Sequence, residues 1–173
     1  DGILANTDFI AGAKVLSQKG LSLDIMQSFP QMPEIAVFAK AVPELPIIVN
    51  HIGGVSRVGI FAGKDDEIIP VWKAGITALA ACPNVTMKLG GMGMPRFGYD
   101  WHAREVPIGS EELAEAMHPW MEHCIEQFGP DRCMFESNFP PDKVSFSYNV
   151  MYNAFKRLSK AYSESERAAM FHD

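Results

Sequence analysis

Basic side chains are in the minority in this 173-residue sequence. Its 15 Lys and Arg against 21 Asp and Glu leave a net charge of −6 at pH 7. That balance argues against nucleic acid or an anionic membrane surface as a partner, because both select a basic face. Cysteine is scarce and odd in number. Cys82, Cys124 and Cys133 form no C-x-x-C pair, so neither a disulfide framework nor a zinc ribbon is indicated, and a reducing cytoplasm is the expected setting. No apolar run approaches the roughly 20 residues that a membrane-spanning helix needs. Asp1-Gly2-Ile3 does not open as an export signal does, with a charged region followed by an apolar one. A dinucleotide fingerprint is missing too: Gly90, Gly91 and Gly93 have the wrong spacing and no helix starts directly after them, so they are expected to serve only as loop permissiveness. Ser137 lacks the flanking glycines of a nucleophile elbow. The partner left by these exclusions is a small molecule, and a homo-oligomer is compatible with the composition.

The apolar fraction of 47% is enough for one sizeable core. Its pattern repeats one grammar. Ile10, Ala13, Val15 and Leu16 predict a helix that stops at Lys19-Gly20, followed by a strand over 21–26. Ile35, Val37, Phe38 and Ala41 predict a second helix from about Met32, broken at Pro43, and Pro46 to His51 is a β-branched strand closed by Gly53-Gly54. A third helix over about 66–81 carries Asp65, Asp66 and Glu67 in its first turn, where the helix dipole favours acid, and Val85 to Leu89 is the third strand. A glycine-rich loop of about 20 residues, a length usually associated with function, ends where Ser110 is expected to cap a fourth helix. That helix runs to Phe128-Gly129-Pro130, Arg132 to Asn138 is the last strand, and two helices follow. The opening Asp1 and the ending at Asp173 inside a helix suggest that both ends are cut.

Apolar strands separated by single helices imply an α/β fold with a parallel sheet and right-handed crossovers. Both a doubly wound sheet and an arc of a (β/α)8 barrel satisfy that rule. The barrel is favoured because Asp24, Gln27, His51, Lys88, Glu136 and Asn138 collect at the carboxy-terminal ends of different strands, where barrel active sites are assembled, whereas an open sheet concentrates them at one switch point. Four strands are about half of such a barrel. The expectation is therefore a single incomplete domain over 1–173, the C-terminal half of a TIM-like barrel.

Each candidate residue has a functional and a structural reading. His51, ending a buried strand before two glycines, can present its ring to a substrate or a metal, or be satisfied by neighbouring carbonyls. In Glu136-Ser137-Asn138-Phe139-Pro140 the polar side chains can hold a water or orient a carbonyl, or Asn and Pro can simply make a turn. Lys88 can bind a substrate carboxylate or form a structural ion pair. His102 and Arg104, with Tyr99, Asp100 and Trp101, can clamp a planar anion or lie in a solvated loop. His118 and His123 are five apart on a helix, not the spacing of two ligands on one face.

Three ordered segments, Ile48-Val49-Asn50-His51-Ile52-Gly53-Gly54, Asn84-Val85-Thr86-Met87-Lys88-Leu89-Gly90 and Arg132-Cys133-Met134-Phe135-Glu136-Ser137-Asn138-Phe139-Pro140, resemble the amidohydrolase-related family (amidohydrolase family 2). That family includes 2-pyrone-4,6-dicarboxylate lactonase and nonoxidative decarboxylases. The resemblance covers almost the whole chain and implies a TIM-like barrel with its site at the strand carboxy-termini and a histidine like His51. The family's last-strand motif is Gly-Ser-Asp-aromatic-Pro, with the Asp as metal ligand or general base. Asn138 stands there in this sequence, and an amide cannot be a general base, which leaves another group such as Asp142 or His51. The family's His-x-His pair has no counterpart in these residues. The resemblance thus implies a hydrolase of a small carboxylated lactone or related cyclic ester. His51 and Asn138 would be catalytic, Lys88, His102, Arg104 and Gln27 would bind substrate, and the cofactor would be none or a divalent metal such as zinc, with His51 as ligand if a metal is used. A metal-dependent decarboxylase and a catalytically silent ligand-binding barrel are the alternatives.

Overall fold

The computed structural model describes residues 2–172; the expectation of cut ends rests in part on Asp1 and Asp173, which lie outside the described residues. Helix α1 (Thr7–Gln18) begins where the Asn6 side chain accepts hydrogen bonds from the Asp8 and Phe9 N–H groups at 2.8 and 3.1 Å, satisfying two of the orphan donors of a helix start. Strand β1 (Leu23–Ile25), α2 (Met32–Ala41), β2 (Ile47–Val49) and the distorted turn α3 (His51–Gly54) follow. Next come α4 (Asp65–Ala80), β3 (Val85–Leu89), α5 (Ser110–Phe128), β4 (Cys133–Phe135), α6 (Tyr148–Leu158) and α7 (Glu164–Phe171). The four strands form one parallel sheet in the order β1-β2-β3-β4. This is the strand–helix alternation of a partial TIM-like barrel.

Strand β3 spans the predicted Val85 to Leu89, whereas β1, β2 and β4 are shorter than the runs predicted for them. His51 lies two residues past β2 rather than closing it, and Glu136 and Asn138 stand beyond β4 in the loop. Ser110 does not cap α5. It is that helix's first residue, the cap position being Gly109, and the Ser110 hydroxyl instead accepts from Arg157 Nε at 3.2 Å.

Alternation along the strands divides the sheet. Ile25, Ile47, Val49, Val85, Met87, Leu89, Cys133 and Phe135 are buried under the helices, where Trp72, Phe38, Phe155 and Met32 fill the core. The opposite face carries Asp24, Ile48 and Thr86 in register, with Lys88 beside Met134. These residues are half-buried or exposed, so this chain covers one face of its sheet and leaves the other open.

Two polar side chains fasten the amino-terminal ends of the strands. Asn84 Nδ2 donates to the carbonyls of Ala39, Val42 and Leu45 at 3.0–3.1 Å. Arg132 reaches the carbonyls of Ala80, Cys82, Val85 and Phe128 at 2.9–3.3 Å. A guanidinium suits that position, because the ends of α4 and α5 present unpaired carbonyls and the negative pole of the helix dipole. The Arg132→Leu variant is expected to lose about 3 kcal/mol of stability, since several buried acceptors lose a charged donor at once. Urea unfolding of variant and wild type checks this, and a loss of only a few tenths would refute it.

Candidate active site

The carboxy-terminal rim is assembled by a stretch of backbone that carries almost no side chains. Immediately after β3 the chain passes through Gly90, Gly91, Met92 and Gly93, and two other segments, the turn after β2 and the loop after β4, press against it. A Cβ on Gly90 would sit 2.4 Å from Glu136 Cγ, one on Gly91 2.6 Å from His51 Cβ and Cγ, and one on Gly93 2.8 Å from Asp142 Cβ. Such approaches are closer than any real side chain tolerates. The glycines expected to give only loop permissiveness are therefore the floor on which His51, Glu136 and Asp142 meet.

His51 takes φ 56 and Ile52 φ 46, and Gly53 and Gly54 continue the left-handed turn. Left-handed backbone at two non-glycine residues costs free energy and persists only where the surroundings impose it. What holds it is Glu136. One carboxylate oxygen accepts the His51 backbone N–H at 3.0 Å and contacts ring Nδ1 as well. Both side chains are largely covered, at 16% and 14% exposure. A neutral imidazole that gives its Nδ1–H to a carboxylate carries its lone pair on Nε2, where it can serve as a base or a ligand.

Asn138 lies two residues past Glu136 at φ 48, a region that Asn tolerates better than most residues. Its Nδ2 donates to Asp142 Oδ1 at 2.7 Å, and the other Asp142 oxygen accepts the Gly93 N–H at 3.1 Å. The Asp142 N–H returns a bond to the Asn138 carbonyl at 3.1 Å, and Ser145 Oγ donates to the Gly93 carbonyl at 2.5 Å. Asp142 is 1% exposed. Burial pushes its carboxyl up to about 6, although the bonds from Asn138 and Gly93 and the charge of His51 pull the other way; the negative charge of Glu136 adds to the rise. Sequence reasoning offers Asp142 only as a stand-in base and passes over Glu136 as the partner of His51. The signal for both is the pair of acids flanking the Asn within one short loop.

The remaining candidates scatter. Lys88 contacts Asp24 across the open face of the sheet, the structural ion pair of the alternative reading. Gln27 follows β1, with its carbonyl so close to Gly54 that a Cβ there would fall 1.8 Å from it. Its side-chain Oε1, like Asn50 Oδ1, is buried without a hydrogen-bond partner among the described residues. His102 and Arg104 are exposed, and Arg104 pairs with Glu112 at 2.7 Å. The aromatic part of that expected clamp is spent on packing. Phe97, Tyr99 and Trp101 stack in a ladder with centroids 5.6 and 4.3 Å apart, and Arg57 lies over Tyr99 while binding Asp65. The apolar rings gain more from burial than from a solvated loop. His118 is exposed and His123 packs on Trp72.

Among the described residues, no group of three or more His, Cys, Asp or Glu side chains is gathered as a metal requires. His51 Nε2 is one potential donor, backed by a carboxylate in the way that orients a ligating imidazole, but these residues do not complete a metal centre.

Residues 6–173 match the family described as amidohydrolase. The chain belongs to the amidohydrolase family. It is 37% identical over 163 residues to an uncharacterized protein, y4mH, of Sinorhizobium fredii, covering 94% of this chain and 48% of that protein. It is 24% identical to an L-fucono-1,5-lactonase of Burkholderia multivorans, over 96% of this chain and 53% of the lactonase. A crystal structure of a Burkholderia multivorans amidohydrolase with bound zinc superposes with a TM-score of 0.83 at 23% identity, over 99% of this chain and 56% of that one. A Pseudomonas putida protein named for 2-pyrone-4,6-dicarboxylic acid hydrolysis gives 0.66 at 18% identity, over 96% and 54%. The chain spans about half the length of the curated relatives it matches. No helix among the described residues is long and apolar enough to cross a membrane.

The raised carboxyl of Asp142 has a pH signature. The folded state holds this proton more tightly than the unfolded chain does, so the group's contribution to stability falls as pH rises from its ordinary 3.8 to about 6, and stays low above that. The Asp142→Asn variant lacks this titration. Its stability relative to wild type is expected to improve by roughly 2–3 kcal/mol between about pH 3.5 and about pH 7.5. Urea unfolding at the two pH values measures the change, and a pH-independent difference would contradict it.

Proposed function

We propose that this chain supplies the C-terminal half of an amidohydrolase barrel that hydrolyses a small lactone, with His51 as general base and Glu136 as the group that orients it. The observation that carries the reading is the His51–Glu136 pair at the strand carboxy-termini, where a carboxylate takes Nδ1 and leaves Nε2 free. The lactonase names of its relatives support the reaction class.

In the reaction, Nε2 of His51 takes a proton from water as the water oxygen attacks the lactone carbonyl carbon. Glu136 stabilises the imidazolium that forms. The ring C–O bond then breaks, the imidazolium returns its proton to the leaving alkoxide, and an open-chain hydroxy acid departs. General base catalysis of this kind needs a base held within hydrogen-bond reach and in the right tautomer. Asn138 contributes a carboxamide to the same rim. Gln27 offers a buried carbonyl oxygen that a ligand O–H or N–H would satisfy. Lys88 stays bound to Asp24 and gives the open face of the sheet a fixed charge pair. His102, on the exposed loop, could meet the carboxylate of a larger or more anionic substrate, and Arg104 could do so only by leaving Glu112.

In the full-length protein, His51→Ala and Glu136→Gln are each expected to lower kcat for lactone opening by about 10²- to 10⁴-fold, with little change in KM. Because the two act as a unit, the double variant should lose little more than the worse single one. A pH-stat assay over a panel of γ- and δ-lactones measures this. Wild-type turnover with both single variants at full rate would end the reading.

A further inference from the structure

Asn138 puts an amide between two acids of one loop, Glu136 two residues before it and Asp142 four residues after it. The chemistry of the contacts decides which end of that amide faces the site. The Gly93 N–H can only donate, so Asp142 Oδ2 is an acceptor. An ionised carboxylate can only accept as well, so the Asn138 group at Asp142 Oδ1 has to be the NH2. Asn138 Oδ1 is then the end left over. It makes no hydrogen bond within the described protein and is not among the buried oxygens without partners, so it is open to a ligand.

We propose that Asp142 is a positioning residue that locks the Asn138 carboxamide with its carbonyl oxygen toward the site, making this spot an acceptor that selects lactones bearing a hydroxyl group. The proposal rests on the lactonase reading for its substrate and on hydrogen-bond chemistry for its geometry. The lock is redundant. The Asp142 N–H holds the Asn138 carbonyl, and Ser145 Oγ and Asp142 together hold both polar groups of Gly93. Neither the backbone of residue 138 nor the carboxylate can turn to offer a different pattern.

The Asp142→Asn variant reverses the pattern while preserving shape. The amide introduced at position 142 must keep its carbonyl oxygen on the Gly93 N–H, which turns its NH2 toward Asn138. Asn138 must then flip to accept, and its own NH2 points into the site. The double variant N138D/D142N restores an acceptor, because the carboxylate introduced at position 138 takes the NH2 from position 142 with one oxygen and offers the other.

Two measurements on the full-length protein test this. The first is hydrogen exchange of the Asn138 side-chain amide, assigned by its disappearance in Asn138→Asp. It is expected to be protected in wild type and to exchange about tenfold faster in D142N, the equivalent of one charged hydrogen bond. The second is selectivity between an aldono-1,5-lactone and unsubstituted δ-valerolactone. D142N is expected to lose about 10- to 100-fold in kcat/KM for the hydroxylated lactone and less than about threefold for the plain one, and N138D/D142N to recover most of the loss. An unprotected amide in wild type overturns the proposal, as does an equal fall for both lactones, which is what a merely structural or water-holding role gives. If wild type opens neither lactone, the hydrolase reading fails and the amide exchange alone decides whether Asp142 holds Asn138.

Discussion

The arrangement at the rim depends on a steric constraint: the backbone leaving β3 must run bare so that two other segments can close upon it. At Gly90, Gly91 and Gly93 a single added carbon would collide with Glu136, His51 and Asp142 in turn. Close packing admits no slack of that size, so any side chain there drives the imidazole from its carboxylate or the buried acid from its amide. The loop's later residues serve the same end. The ladder of Phe97, Tyr99 and Trp101 anchors the far side of the loop in the core, and the glycine segment is held between that anchor and the strand.

Electrostatics then divides the work between two carboxylates that share one small volume. Glu136 is matched to an imidazole and a backbone N–H, and Asp142 to an amide and another backbone N–H. Each negative charge thus has donors in place of the water it lost, which is the condition for burying it at all. The match is not complete for Asp142, whose carboxyl is raised by burial and by the charge of Glu136. Polar pairing at the opposite end of the sheet has a different character. Asn84 and Arg132 saturate carbonyls and leave nothing free for a ligand, consistent with the division of a barrel into a stability face and a chemical face.

Much of the architecture is legible along the chain. Hydrophobic periodicity gives the order of strands and helices, and the polar residues after β2 and β4 point to the rim that carries the site. The misplacements have a common cause. The strands predicted around β2 and β4 overrun at residues such as His51 and Asn138, where the backbone turns left-handed and leaves the ladder, a change that side-chain pattern does not signal. Tyr99 and Trp101 suggest a ligand clamp because an aromatic in a long loop looks the same in sequence whether it faces solvent or a neighbouring ring.

Read along the chain, the residues name the available groups: the His51 imidazole among five histidines, two acids flanking an asparagine, and glycines after the third strand, all on an α/β frame set by local periodicity. Their pairing is set in three dimensions. His51 and Glu136 are 85 residues apart, as the bond between them records, and Gly93 and Asp142 are 49 apart. Neither propensity nor spacing reaches across such separations. They are fixed by parallel strand register and by the volume that missing side chains leave, quantities that exist only once the strands lie side by side.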